Sequence, residues 1–139
     1  MQHAAHVTFG EQITLLGYDM AQDEQTLHLD LYWQAGKQIE ANYKVFVHLF
    51  DPATEAIPVQ VDRQPLNGVY PTSWWRAGEV IADQVTLSIA DLTPGDYALA
   101  VGIYDVDTDV RLDAHTAAGE PLPDGRLILK PTLSILDDE

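Results

Sequence analysis

The side chains that could do chemistry in this 139-residue sequence fall into three groups. The first is an alternating run of carboxylates, Asp105, Asp107 and Asp109, with the spacing that opens a calcium-binding loop. The rest of that pattern fails, because Val110 stands in place of the turn glycine and Thr116 in place of the bidentate glutamate. The run is therefore an incomplete calcium candidate, and the alternative is that these aspartates are solvated turn formers.

The second group is aromatic and lies in residues 64–78, a long segment without periodicity. Its members Tyr70, Trp74 and Trp75 could stack on sugar rings, with neighbouring polar side chains bonding the sugar hydroxyls. Those polar residues are Asn67, Ser73, Arg76 and Glu79. The alternative is that Tyr70 and Trp75 are buried and fasten the loop to the domain, as large aromatic side chains usually do. In that case we expect Trp74 to be exposed, because adjacent side chains tend to diverge.

The third group is a pair of histidines, His28 and His48, in two neighbouring segments that both predict strands. Each lies out of phase with the apolar side chains of its segment, so the two could face each other across a sheet and form half of a metal site. A zinc site needs further ligands, and His3, His6 and His115 do not align with the pair. We therefore expect ordinary surface or half-buried histidines and no bound metal.

Catalytic constellations are not evident. Ser73 and Ser88 lack the Gly-x-Ser-x-Gly elbow and have no assignable His–Asp partners. Among 22 acidic residues, any pair chosen for glycoside hydrolysis is uninformative. The sequence has no glycine-rich phosphate loop and no cysteine, which excludes thiol nucleophiles, thiolate metal sites and iron–sulfur clusters. We predict no catalytic residue and no cofactor, and a small hydrolase stays as a third hypothesis.

Composition limits the partners. Seven basic against 22 acidic side chains give a formal net charge of −15, which nucleic acid and anionic membrane surfaces would repel. A hydrophobic share of 46% supports one folded domain over residues 1–139, with residues 136–139 expected to be a frayed tail. No apolar run reaches the ~18–20 residues that span a bilayer, so we expect the chain as given to be soluble.

Short strands are the elements that must position these groups. Apolar residues alternate with a period of two along most of the chain, and turn signals recur about every 8–12 residues. In residues 92–105 a Pro-Gly turn precedes an alternation that places Tyr97 inward. A tyrosine directly after such a turn is typical of the tyrosine corner, whose hydroxyl bonds upstream backbone. The sequence therefore predicts an all-β fold, an antiparallel immunoglobulin-like β-sandwich of roughly seven to nine strands.

The alternation also predicts the core. In residues 43–50, Phe46 and Phe50 lie out of phase with an apolar set that already faces inward, so we expect this strand to be central and covered on both faces. The predicted core comprises Leu15, Leu29, Leu31, Trp33, Val45, Val47, Leu49, Val85, Leu87, Tyr97, Leu99, Val101 and Ile103.

Several phrases in this order resemble a known type of module. They are Phe9-Gly10 with Ile13-x-Leu15-Leu16-Gly17-Tyr18, Leu29-x-Leu31-Tyr32-Trp33, Tyr43-x-Val45-Phe46-Val47-His48-Leu49, Tyr70-Pro71-Thr72-Ser73-x-Trp75 with Gly78-Glu79-Val80, and Leu92-x-Pro94-Gly95-x-Tyr97-x-Leu99-x-Val101-Gly102-x-Tyr104-Asp105. The set resembles a β-sandwich module at the carboxyl end of some bacterial multi-pass membrane proteins. Those proteins look like glycosyltransferases that use lipid-phosphate sugars. The resemblance extends over about residues 7–129.

The resemblance implies an immunoglobulin-like sandwich on the extracytoplasmic side of a bacterial membrane. It implies a non-catalytic accessory role, with the parent membrane protein as partner and catalysis in the membrane-embedded part. It supplies no catalytic residue for this chain. The leading hypothesis is therefore a non-catalytic accessory or interaction module. The alternative is a carbohydrate-binding module that uses Tyr70, Trp74 and Trp75.

Overall fold

The structure, a computed structural model, describes residues 2–135, so the expected frayed tail at 136–139 lies outside the described residues. The strands are β1 (His3–Phe9), β2 (Ile13–Gln22), β3 (Thr26–Ala35), β4 (Tyr43–Phe50), β5 (Val59–Arg63), β6 (Val80–Ser88), β7 (Gly95–Asp105), β8 (Ala114–His115), β9 (Pro121–Leu122) and β10 (Arg126–Ile135). Short 3₁₀ helices occupy Pro65–Gly68, Thr72–Trp74 and Pro123–Gly125. In the described residues no helix is long and apolar enough to cross a membrane.

The strands form two antiparallel sheets, which confirms the predicted β-sandwich. One sheet has six strands in the order β6-β3-β2-β1-β8-β9, and the other has four in the order β10-β7-β4-β5. The described residues hold ten strands rather than seven to nine, because β8 and β9 are only two residues long. Pairings that short leave no periodicity in the sequence, so alternation could not predict them.

The inward faces of both sheets share one core, and every predicted core residue is buried. β6 shows the alternation most regularly, with Ile81, Val85 and Leu87 inward and their neighbours outward. The same phase also places Asp83 inward, where it is fully buried. A charged side chain at an inward position of an edge strand needs a partner, and it has one in the opposite sheet.

The expectation that residues 43–50 form a central strand is confirmed. β4 lies between β7 and β5, and its outward side chains Phe46 and Phe50 are buried as well as its inward ones. The opposing outward positions on β7 carry small residues, Ala98, Ala100 and Gly102, which leave room for the rings. A Cβ atom added at Gly102 would collide with Cζ and Cε2 of Phe46, so the ring packs directly against this glycine.

Two buried tyrosine hydroxyls tie the strands together. Tyr97 donates to the carbonyl of Thr93 at 2.7 Å, upstream in the chain, which confirms the bonding expected of a tyrosine corner. Tyr18, on β2, reaches the opposite sheet and bonds the carbonyl and the N–H of Lys130 at 2.8 and 2.9 Å. Lys130 lies in the register shift of β10, so Tyr18 satisfies backbone groups that the strand ladder leaves unpaired.

Candidate functional site

The long loop at residues 64–78 is fastened at its centre. The Trp75 indole is fully buried, and its N–H donates to the carbonyl of Tyr70 at 2.9 Å. The Thr72 hydroxyl is also buried: it donates to the Ala41 carbonyl at 2.8 Å and accepts from the Tyr43 N–H at 3.0 Å. These bonds attach the loop to the chain that leads into β4.

An ion pair at the sheet edges fastens the start of the same loop. Nη2 of Arg63, at the end of β5, lies 3.0 Å from Oδ1 of Asp83 on β6. The same carboxylate oxygen accepts from the Leu66 N–H at 3.0 Å. Burial raises the pKa of Asp83, while the Leu66 hydrogen bond and the Arg63 charge oppose that rise. The edges of the two sheets and the loop are therefore joined at one carboxylate.

Glu79 holds the end of the loop. Its Oε1 accepts from the Tyr70 hydroxyl at 2.7 Å and from the Arg76 N–H at 3.0 Å. These two hydrogen bonds lower the pKa of the half-buried Glu79 carboxyl, and the one from the Arg76 N–H has the larger effect. The bond to Glu79 raises the pKa of Tyr70. Tyr70 and Glu79 therefore brace the backbone that carries the neighbouring tryptophans.

Trp74 is the aromatic side chain that this loop leaves in solvent, 63% exposed, as the second interpretation of the loop expects. The centroid of its ring lies 6.5 Å from that of Tyr70, and the angle between the ring planes is 67°, so the two rings meet edge to face rather than coplanar. Val69, 75% exposed, adds apolar surface on the same loop. Trp75 cannot take the stacking role considered for it, because its indole is fully buried. The aromatic surface on offer is Trp74 with the edge of Tyr70.

The carboxylate run after β7 forms a turn. Oδ1 of Asp105 accepts from the backbone N–H groups of Asp107 and Thr108 at 2.7 and 3.3 Å, and the Asp109 N–H donates to the Asp105 carbonyl at 2.9 Å. Asp105 thus behaves as the turn former of the second interpretation. In the part of the chain that the structure describes, no cluster of three acidic, histidine or cysteine side chains could hold a metal ion.

The idea that His28 and His48 face each other is wrong. His28 lies on β3 in the six-stranded sheet, and His48 lies on β4 in the four-stranded sheet. β3 and β4 follow one another in the chain but belong to different sheets, and sequence order does not reveal this. His28 is exposed, with Nε2 3.7 Å from Oδ2 of Asp23, whereas His48 is buried.

Comparisons with known proteins agree on the fold and go no further. No family model and no curated protein matches the sequence. A similar solved structure is that of β-glucosidase 3B from Thermotoga neapolitana in complex with glucose, with 12% sequence identity and a TM-score of 0.51. The match covers 96% of this chain and 16% of the β-glucosidase chain, so the chain spans a small part of that protein. At this identity the likeness shows the fold alone.

Proposed function

We propose that this chain is a non-catalytic binding module of a larger bacterial membrane protein, with Trp74 at the centre of its binding surface. The exposure of Trp74 on a firmly anchored loop carries the proposal. Tryptophan is among the residues that contribute most to binding at protein interfaces. A partner that contacts Trp74 would not have to order the loop first, which lowers the entropic cost of binding.

Two observations support the proposal that this chain is part of a larger protein. A fold of this size forms 16% of the β-glucosidase chain, so such a sandwich can exist as one part of a long protein. The sequence phrases resemble carboxyl-terminal modules of bacterial membrane proteins that look like glycosyltransferases. Both observations concern architecture, and the function rests on the Trp74 surface.

The test uses the source bacterium and an antibody raised against this chain. Immunoblots of membrane and soluble fractions should show a band far larger than the 15.4 kDa of this chain, in the membrane fraction. Protease added to spheroplasts should remove the epitope, because the proposal places the module on the extracytoplasmic side. A band near 15.4 kDa confined to the cytosol would overturn the proposal.

The Trp74 surface also favours a second candidate, carbohydrate binding. Trp74 offers an exposed ring, and the Arg76 and Glu79 side chains lie within a few residues of it. Binding to a glycan array should weaken at least about tenfold in Trp74→Ala, which removes an aromatic anchor. Ile57→Ala is the matched control, because Ile57 is an exposed apolar residue outside the loop. Array binding that is absent, or equal in both variants, argues against this candidate.

A further inference from the structure

A cavity on the outer face of the four-stranded sheet brings together acidic, basic, imidazole and aromatic side chains. Its volume is ≈ 240 Å³. It is lined by Phe46, His48, Asp62, Tyr104, Asp109 and Arg111. None of these residues belongs to the loop that carries Trp74.

The wall of the cavity is rigid. The Phe46 ring packs directly against Gly102, and its centroid is 4.7 Å from that of His48. The Arg111 guanidinium covers Phe46 at 4.4 Å from the ring centroid and donates to the Asp124 carbonyl at 3.0 Å. Rings packed between a glycine and a guanidinium have little freedom to move, so the cavity is shaped before a ligand arrives.

His48 lines this cavity with an imidazole that forms no hydrogen bond to a described residue. Its side chain is only 8% exposed, and no residue in 2–135 forms a hydrogen bond with its imidazole. Burial lowers the pKa of His48, with Arg111 and Arg126 acting in the same direction and Asp62 opposing them. A neutral imidazole offers one donor and one acceptor to a ligand in the cavity.

The charged groups restrict what the partner can be. Neither Asp62 nor Asp109 forms an ion pair with a described residue. The Tyr104 hydroxyl donates to the Asp62 carboxylate, and the remaining lone pairs of both carboxylates can accept hydrogen bonds from a ligand. Two carboxylates repel an anion, and the Arg111 guanidinium repels a cation. Arg111 supplies donors beside the carboxylate acceptors, and the Tyr104 oxygen can accept. Hydroxyl groups both donate and accept, so a neutral polyol suits this set better than an ion does.

We propose that this cavity binds a neutral, polyhydroxylated small molecule of about one sugar ring. The carboxylates of Asp62 and Asp109 accept from its hydroxyls, Arg111 donates to them, and the His48 imidazole can donate or accept. The volume of ≈ 240 Å³ lies below the ~300–1,000 Å³ of sites for drug-sized ligands, which favours one ring over an oligosaccharide. This site and the Trp74 surface share no residue, so each can fail alone.

The test is a titration of the ¹⁵N-labelled chain followed by backbone amide NMR signals. The neutral probes are D-glucose, D-galactose, D-mannose and myo-inositol, and the charged probes are sodium sulfate and methylammonium chloride, each up to about 50 mM. At least one neutral probe should shift the signals of the cavity residues in a saturable way. Shifts from none of the neutral probes, or tighter binding of a charged probe, would overturn the proposal.

Variants locate the site. Asp62→Asn and Asp109→Asn should each weaken the binding about tenfold, because each removes a charged hydrogen-bond acceptor. Asparagine tolerates the left-handed backbone of Asp109, whose φ is 59°, so that variant should fold. Asp107→Asn is the matched control on the same turn and should bind the neutral probe as the wild type does. Trp74→Ala should also bind the neutral probe normally, because Trp74 lies outside the cavity. Equal loss in the Asp107 and Asp109 variants, or loss in Trp74→Ala alone, contradicts a site in this cavity.

Discussion

Replacement of Asp83 by alanine is the perturbation whose effect the structure defines most closely. Asp83 is fully buried, and one of its oxygens accepts from both Arg63 and the Leu66 N–H, each at 3.0 Å. The substitution removes the counter-ion of a guanidinium that is only 16% exposed and the acceptor of a loop N–H. Both the join between the sheet edges and the start of the Trp74 loop lose their common partner.

Removing one partner of a buried ion pair costs about 3–5 kcal/mol of unfolding free energy. Arg63 keeps a hydrogen bond to the Gln64 carbonyl at 3.1 Å and regains some hydration, which places the cost near the lower end. We expect a loss of about 3 kcal/mol, which corresponds to a melting temperature lower by about 10 °C for a chain of this length. The double variant Arg63→Leu/Asp83→Leu should be more stable than Asp83→Ala, because no unpaired charge is left buried and only the Leu66 N–H loses its acceptor.

Urea denaturation followed by tryptophan fluorescence measures these differences, since Trp33 and Trp75 are fully buried and change environment on unfolding. Gln84→Ala is the control, because Gln84 is the next residue of β6 and points outward. The reasoning is refuted if Asp83→Ala costs less than about 1 kcal/mol, or if the double variant is less stable than Asp83→Ala.

Three further predictions concern single side chains. Tyr97→Phe should lower the unfolding free energy measured by urea denaturation by about 1 kcal/mol. The loss is small because water can replace the hydroxyl at the exposed Thr93, and an unchanged midpoint contradicts the tyrosine corner. Tyr18→Phe should cost about 2 kcal/mol, because two backbone groups of Lys130 lose their partner, and should speed amide exchange at Lys130. Folding lowers the pKa of His48, so its contribution to the free energy of unfolding is complete above pH 6.5 and falls as the pH decreases. His48→Gln should flatten the dependence of the unfolding free energy on pH below 6.5, and an unaltered dependence contradicts this.

Period-two alternation predicted the parts of the fold that depend on it. The strand with Tyr97 and the central strand with Phe46 lie where the sequence placed them, because one buried face dictates alternation and two buried faces dictate an unbroken apolar run. The alternation of apolar residues did not predict Asp83 as a buried residue, because its position is inward but its side chain is charged. This exception to the pattern joins the edges of the two sheets through its ion pair with Arg63.

Sites depend on which strands become neighbours, and local patterns do not contain that information. The pairing of His28 with His48 failed because β3 and β4 belong to different sheets. The cavity beside His48 is built from β4, β5, the end of β7 and the following turn, which brings Asp62 and Asp109 together from distant positions. Its one signal in the sequence is the out-of-phase Phe46, which predicted a covered outer face without indicating a cavity.

Site-specific crosslinking in membranes of the source bacterium tests the central claim, that Trp74 is the centre of the binding surface of a module in a larger membrane protein. A benzophenone side chain placed at position 74 should give one crosslink to a defined peptide of the parent protein, identified by mass spectrometry. The same group at position 57, exposed but outside the loop, should give none. Absence of a crosslink at position 74, or identical products at both positions, would contradict the account.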